Sequence, residues 1–155
     1  MTHINFYQIP GGFDDLLTFT CRLSEKAWRR GIDVLIHSPD PKVVAALDAR
    51  LWDYSATSFL AHDAPTPTVT PQVSLGPTMI GISMTGDQDP GSYRGLLINL
   101  DTVAPSWFGR FDRLAEIVPD NAAVRDAKRQ RYRYYRDRGY PLTYHDLTPN
   151  IAERR

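Results

Sequence analysis

The chain is poor in the residues that build most recognisable active sites. It has a single cysteine, Cys21, which excludes an intrachain disulfide and a thiolate metal cluster. Its four histidines, His3, His37, His62 and His145, are scattered singly, and none has a partner at metal-ligand spacing. Neither G-x-G-x-x-G nor G-x-x-x-x-G-K-[ST] occurs, so the two common phosphate cradles are missing. No apolar run approaches the roughly 20 residues needed to span a bilayer. The opening Thr2-His3-Ile4-Asn5-Phe6 has no charged leader followed by a long apolar stretch, so it does not read as a signal peptide. Net charge is also missing, with 18 basic against 18 acidic residues, which argues against a protein that coats nucleic acid over its whole surface. A soluble cytoplasmic protein is the expectation.

What is present is ordinary globular material, with 42% hydrophobic and 23% charged residues in 155, enough for one domain with a real core. Ile4 to Ile9 reads as a strand stopped by Pro10-Gly11-Gly12. Asp14 or Asp15 is expected to cap a helix running to about Arg30, with Leu16, Phe19, Leu23 and Ala27 on its buried face and Gly31 at its end. Ile32 to His37 has the continuous apolar character of a central strand. Asp40 and Pro41 open a second helix that carries Val43, Val44, Leu47 and Leu51. Met79–Met84, Leu96–Leu100 and Arg113–Val118 are further strand candidates, and the last places Leu114, Glu116 and Val118 on one face and Ala115 and Ile117 on the other. Pro105 to Phe108 suits one helical turn. A helix from about Asn121 to Arg138 follows Pro119-Asp120, and Tyr140 to Leu147 packs back as a final extended segment. The Pro/Thr-rich stretch 63–77 reads as a long exposed loop. The order implies a single α/β domain over 1–147, with a mainly parallel, mixed sheet flanked by helices on both faces. It is Rossmann-like but without a nucleotide motif, and 148–155 form a frayed tail.

The residues offer little catalysis. His37 ends a buried strand, where open α/β sheets place their sites, but a hydrogen-bonded structural histidine is several times more common there. His145 and Asp146 are adjacent on a strand and so point to opposite faces. Cys21 sits within the first helix as a core thiol. No catalytic constellation and no cofactor are expected.

Arg125 to Arg138 is the anomaly, holding seven of the 18 Lys and Arg residues. With Arg125 at zero on a helical wheel, Arg136 falls at about 20°, Arg129 at about 40°, Arg133 at about 80° and Tyr132 at about −20°. Four guanidiniums and a phenol therefore share one sector. Ala123, Val124, Ala127, Tyr134 and Tyr135 are expected to pack on the sheet, with Arg131 snorkelling among them or paired with a buried acid. A solvated helix that complements its own dipole is the bland reading. Arginine at every stripe position shifts the balance somewhat toward docking of carboxylates or phosphates. The partner could then be a nucleic acid, a phosphorylated small molecule or an acidic peptide.

Five stretches together resemble one family. They are Phe6-Tyr7; Lys26-Ala27-Trp28-Arg29-Arg30-Gly31 leading into Val34-Leu35-Ile36-His37; and Leu47-Asp48 through Leu51-Trp52 to Ser58-Phe59-Leu60-Ala61-His62. Leu97-Ile98-Asn99-Leu100 is the fourth. The fifth is Glu116-Ile117-Val118-Pro119 with Arg129-Gln130-Arg131-Tyr132-Arg133 and Tyr135-Arg136-Asp137-Arg138-Gly139-Tyr140. Their order is similar to that of the chi subunit of bacterial DNA polymerase III, from about residue 4 to 147. The resemblance implies an accessory protein of the clamp-loader assembly, without a catalytic site of its own but part of a DNA polymerase complex. It implies binding to the acidic, Pro-Phe-ending tail of single-stranded DNA-binding protein through Arg129, Tyr132 and Arg133, with Arg125, Lys128 and Arg136 nearby. It also implies contact with the psi subunit near Trp52, Phe59 and Leu60, in a monomer or 1:1 heterodimer. Two rivals remain: direct binding of single-stranded nucleic acid by the same helix, and a nucleotide-dependent enzyme.

Overall fold

The computed structural model describes residues 1–58, 80–83, 90, 91 and 93–148, with the side chains of 52–58 and 80–83 outside the description. Six strands form one sheet: β1 (His3–Gln8), β2 (Val34–His37), β3 (Ile80–Ser83), β4 (Leu96–Asn99), β5 (Arg113–Val118) and β6 (Leu142–Asp146). Their spatial order is β3-β2-β4-β5-β1-β6, and every pairing is parallel. The expected mixed character is therefore absent among the described strands. Helices α1 (Phe13–Arg29) and α2 (Pro41–Ser58) cover one face and α3 (Ala122–Asp137) the other.

Parallel strands covered on both faces must be apolar on both, and β2 and β4 are buried at every position. Val34, Ile36, Leu96, Ile98, Ala115 and Ile117 pack under α1 and α2. Ile4, Phe6, Leu35, Leu97, Leu114 and Val118 face α3 with Trp107, Phe108 and Tyr135. The period-two split read along β5 is the one observed.

The helix starts follow from local chemistry. Asp40 Oδ1 accepts from Lys42 N at 2.9 Å, and Pro41 opens α2, where a missing N–H costs nothing. Asn121 caps α3 by accepting from Val124 N at 3.1 Å. At α1 the expectation fails: Gly12 is the cap, with no side-chain bond, and Asp14 and Asp15 lie in the first turn. There they still favour the positive end of the helix dipole. The expected turn at Pro105–Phe108 is present, closed by Phe108 N donating to the Pro105 carbonyl at 3.1 Å, and a 3₁₀ helix at Phe108–Arg110 continues it. Gly31 and Gly139 follow α1 and α3 with φ of 76° and 81°, a conformation that side-chain-bearing residues resist.

The loop expected over 63–77, and nearly all of the tail expected over 148–155, lie outside the described residues. Among the described residues no helix is long and apolar enough to cross a membrane.

Candidate protein-interaction face

The seating of α3 decides which of its cations are available. Glu116, at the centre of β5, is wholly buried and faces α3. Its Oε1 accepts from Lys128 Nζ at 2.7 Å and from Asn99 Nδ2 at 2.8 Å, and its Oε2 accepts from Tyr135 OH at 2.6 Å. Lys128 Nζ also donates to the Asp101 carbonyl at 2.6 Å and the Asn99 carbonyl at 3.3 Å. A buried carboxylate demands partners of this kind, since an unpaired charge out of water is very costly. Burial first, and then the Glu116 carboxylate, push the Tyr135 phenol well above its ordinary pKa. Tyr135 is thus a fixed neutral donor.

This network turns the helix relative to the wheel derived above. Lys128 and Tyr135 lie at about −60° and about −80°, and the inward face is centred there rather than opposite the arginine stripe. Lys128, expected near the tail site, is only 2% exposed and sits inside the protein. Ala123, expected to pack, is exposed. Arg131 pairs with no acid among the described residues. Its guanidinium lies over the Tyr134 ring at 4.2 Å and the Tyr135 ring at 5.0 Å, and Arg138 covers Tyr134 at 4.1 Å. Such cation–π contacts hold the charge without a counter-ion.

Arg125, Arg129, Arg133 and Arg136 are on or near the surface, but in different states. Arg125 is half-buried and donates to Asp120 Oδ1 at 2.7 Å. Arg136 meets its neighbour Asp137 at 3.3 Å. Arg129 has only a loose 3.7 Å contact with Asp126, both side chains well exposed. Arg133 makes no ion pair among the described residues.

Beside these cations Tyr132, expected in the site, belongs to an aromatic surface whose second exposed ring, Tyr144, the sequence reading missed. Tyr132 packs edge-on against Phe6 at 5.3 Å and against Tyr144 at 6.1 Å. Tyr144 stacks on Phe6 at 6.1 Å, yet is 45% exposed. Its hydroxyl donates to Gln8 Oε1 at 2.6 Å. Burial raises the Tyr144 phenol and Asp146 adds to the rise, while the positive charges of Arg129 and Arg125 oppose it. Nothing local in β6 marked this ring: the parallel register of β6 on β1 sets Tyr144 directly against Phe6. The assembled face joins Arg129 and Arg125 of α3 to Tyr132 and Tyr144, with Arg136 farther along the same stripe of the helix and Arg133 farther round it. It offers guanidiniums for carboxylates and a flat apolar floor for a ring.

The profile of the family described as "DNA polymerase III chi subunit, HolC" matches residues 1–143. The chain belongs to the DNA polymerase III chi subunit family. It is similar to the "DNA polymerase III subunit chi" of Pseudomonas aeruginosa, with 39% identity over 148 residues, 95% of this chain and 98% of that protein. The protein of the same description in Haemophilus influenzae is 30% identical over 123 residues, 79% of this chain and 81% of the relative. That of Escherichia coli is 28% identical over 147 residues, 92% and 96% of the two chains. Near full-length coverage makes the chi-family assignment one of the whole domain, with α3 and β1 inside the matched region. Of the residues expected to meet psi, Phe59 and Leu60 lie outside the described residues, and Trp52 is described only as backbone within α2.

Proposed function

We propose that this chi-family chain is an accessory subunit of the replicative polymerase that grips the acidic C-terminal tail of single-stranded DNA-binding protein on the α3–β6 face. Through psi it would link that protein to the clamp loader. One observation carries the reading: the loosely held Arg129, and Arg133 with no ion pair among the described residues, stand on the helix that also brings Tyr132 against the exposed Tyr144 ring. An acidic peptide ending in an aromatic residue matches both halves, carboxylates to guanidiniums and ring to floor. Psi would dock at Trp52, Phe59 and Leu60, where aromatic anchors suit a protein interface.

A fluorescent peptide ending Asp-Asp-Ile-Pro-Phe should bind with micromolar affinity, about −8 kcal/mol or weaker. Arg129→Ala, deletion of the terminal phenylalanine, and added salt should each weaken it strongly. Equal binding by wild type and Arg129→Ala would remove the assignment. Direct binding of single-stranded DNA by the same face predicts a steep salt-dependent affinity for an oligonucleotide without any other protein. Tail binding together with no oligonucleotide binding at low salt separates the two readings.

A further inference from the structure

The face of the sheet opposite α3 holds a cavity of about 100 Å³. It lies between the C-terminal half of α1 and the strands β1, β4 and β5. Leu23, Ala27, Ile32 and Leu96 line it with hydrocarbon, and Tyr7 supplies a ring. Tyr7 is fixed in place by stacking on His145 at 4.6 Å and by Phe19 at 5.3 Å.

Lys26, Arg30 and Arg113 complete the lining. All three are exposed, and none makes an ion pair among the described residues. This differs from the neighbouring Arg29, which takes Glu25 at 3.0 Å. The acids nearest to them in sequence, Glu25, Asp33 and Asp112, do not line the cavity, and Asp33 accepts from the backbone N–H of Arg94 at 2.8 Å. Asn5 adds an amide whose Oδ1 lies 3.2 Å from His145 Nε2, leaving its NH₂ group as a donor. Three cations around one apolar cavity, with no acid among its lining residues, form a site short of its counter-charge.

Size and polarity together define the ligand. Pockets that enclose drug-sized molecules measure about 300–1,000 Å³, so a cavity of about 100 Å³ has no room for a nucleoside. A bare inorganic anion would leave the hydrocarbon floor unused. We propose that this cavity binds a carboxylate carrying one compact apolar group, either a free short-chain acid or the C-terminal residue of a polypeptide. Arg30, Arg113 and Lys26 would hold the carboxylate, while the apolar group rests on Leu23, Ile32 and Leu96. The site is independent of the α3 face, which lies across the sheet.

Methyl-labelled full-length chain titrated with N-acetyl-L-leucine, isovalerate and the neutral N-acetyl-L-leucinamide tests this. The methyl resonances of Leu23, Ile32 and Leu96 should move with the two acids, saturating at millimolar concentration, and respond about tenfold less to the amide. Tighter binding of N-acetyl-L-leucine than of isovalerate identifies a polypeptide C-terminus as the source; the reverse identifies a free acid. The double variant Arg30→Ala/Arg113→Ala should reduce the acid response to the level of the amide. Lys26→Gln, a single change at an exposed helix position, should weaken it in the same direction, whereas Arg136→Ala should leave it untouched. The proposal is overturned by still methyl resonances at about 20 mM acid. It is overturned equally by matched responses to acid and amide, or by an undiminished response in Lys26→Gln and the double variant.

Discussion

Lys128 Nζ lies 2.7 Å from Glu116 Oε1 between α3 and β5, and neither side chain reaches solvent. Removing one member of such a pair strands a buried charge, at a cost of about 3–5 kcal/mol, whereas replacing both by neutral groups costs far less. Lys128→Met should therefore lower the unfolding free energy by about that amount in urea melts, and adding Glu116→Gln should recover most of the loss. The double variant should bind the tail peptide as wild type does. A strong loss of affinity in a folded double variant would return Lys128 to the binding face.

Tyr144 contributes an exposed ring and Tyr132 an edge to the same surface. Truncating an aromatic anchor at an interface commonly costs more than about 1 kcal/mol, so Tyr144→Ala should weaken tail binding by roughly five- to tenfold. Tyr144→Phe keeps the ring and loses only the bond to Gln8, so it should bind nearly as tightly as wild type. Fluorescence anisotropy distinguishes them, and wild-type affinity in Tyr144→Ala would exclude the ring from the interface.

Arg125 is held by Asp120, whereas Arg133 has no ion pair among the described residues. Arg133→Ala should accordingly cost more tail affinity than Arg125→Ala. Freeing Arg125 with Asp120→Asn should strengthen binding by about two- to threefold and steepen its salt dependence. A decrease in affinity on Asp120→Asn would mean that the Arg125–Asp120 pair itself shapes the site.

His37 gives a sign to the acid response. Burial, the largest influence, lowers its pKa below 6.5; Asp101 and Glu116 oppose this, and Lys128 adds to it. Well above 6.5 the ring is neutral in folded and unfolded chains and contributes no pH dependence. Below 6.5 the unfolded chain takes up a proton that the folded chain resists. Stability is then lost as pH falls from 6.5 toward the folded pKa. His37→Gln should flatten this part of the profile, as measured by urea midpoints between about pH 7.5 and about pH 5.5. Identical slopes in variant and wild type would assign the acid sensitivity to other groups.

The strands and the helix order were legible because period-two burial and capping residues are local signals. Leu114, Glu116 and Val118 sorted to one face of β5 from spacing alone, and Asp40 with Pro41 marked the start of α2. The rotation of α3 was not legible, because a wheel counts lysine as an outward residue. Lys128 faces inward only because Glu116, on the preceding strand β5, needs a cation. Tyr144 was missed for a related reason: its value comes from lying opposite Phe6, a pairing set by the register of β6 on β1. Both misses sit where long-range contacts, rather than local pattern, choose the direction of a side chain.

The place of β1 in the sheet has a consequence for biosynthesis. Its two neighbours among the described strands are β5 and β6, so β1 pairs with much later segments, beginning at residues 113 and 142. Phe6 emerges from the ribosome early but gains Tyr132 and Tyr144 only after more than a hundred further residues have been added. At roughly 5–20 residues per second, that is an interval of about 7–28 seconds. During translation the amino-terminal strand is a sheet edge without partners, exposed to chaperones or to pairing errors. The proposed α3–β6 face includes Tyr144, so it cannot form on a nascent chain until β6 has been made and has paired with β1.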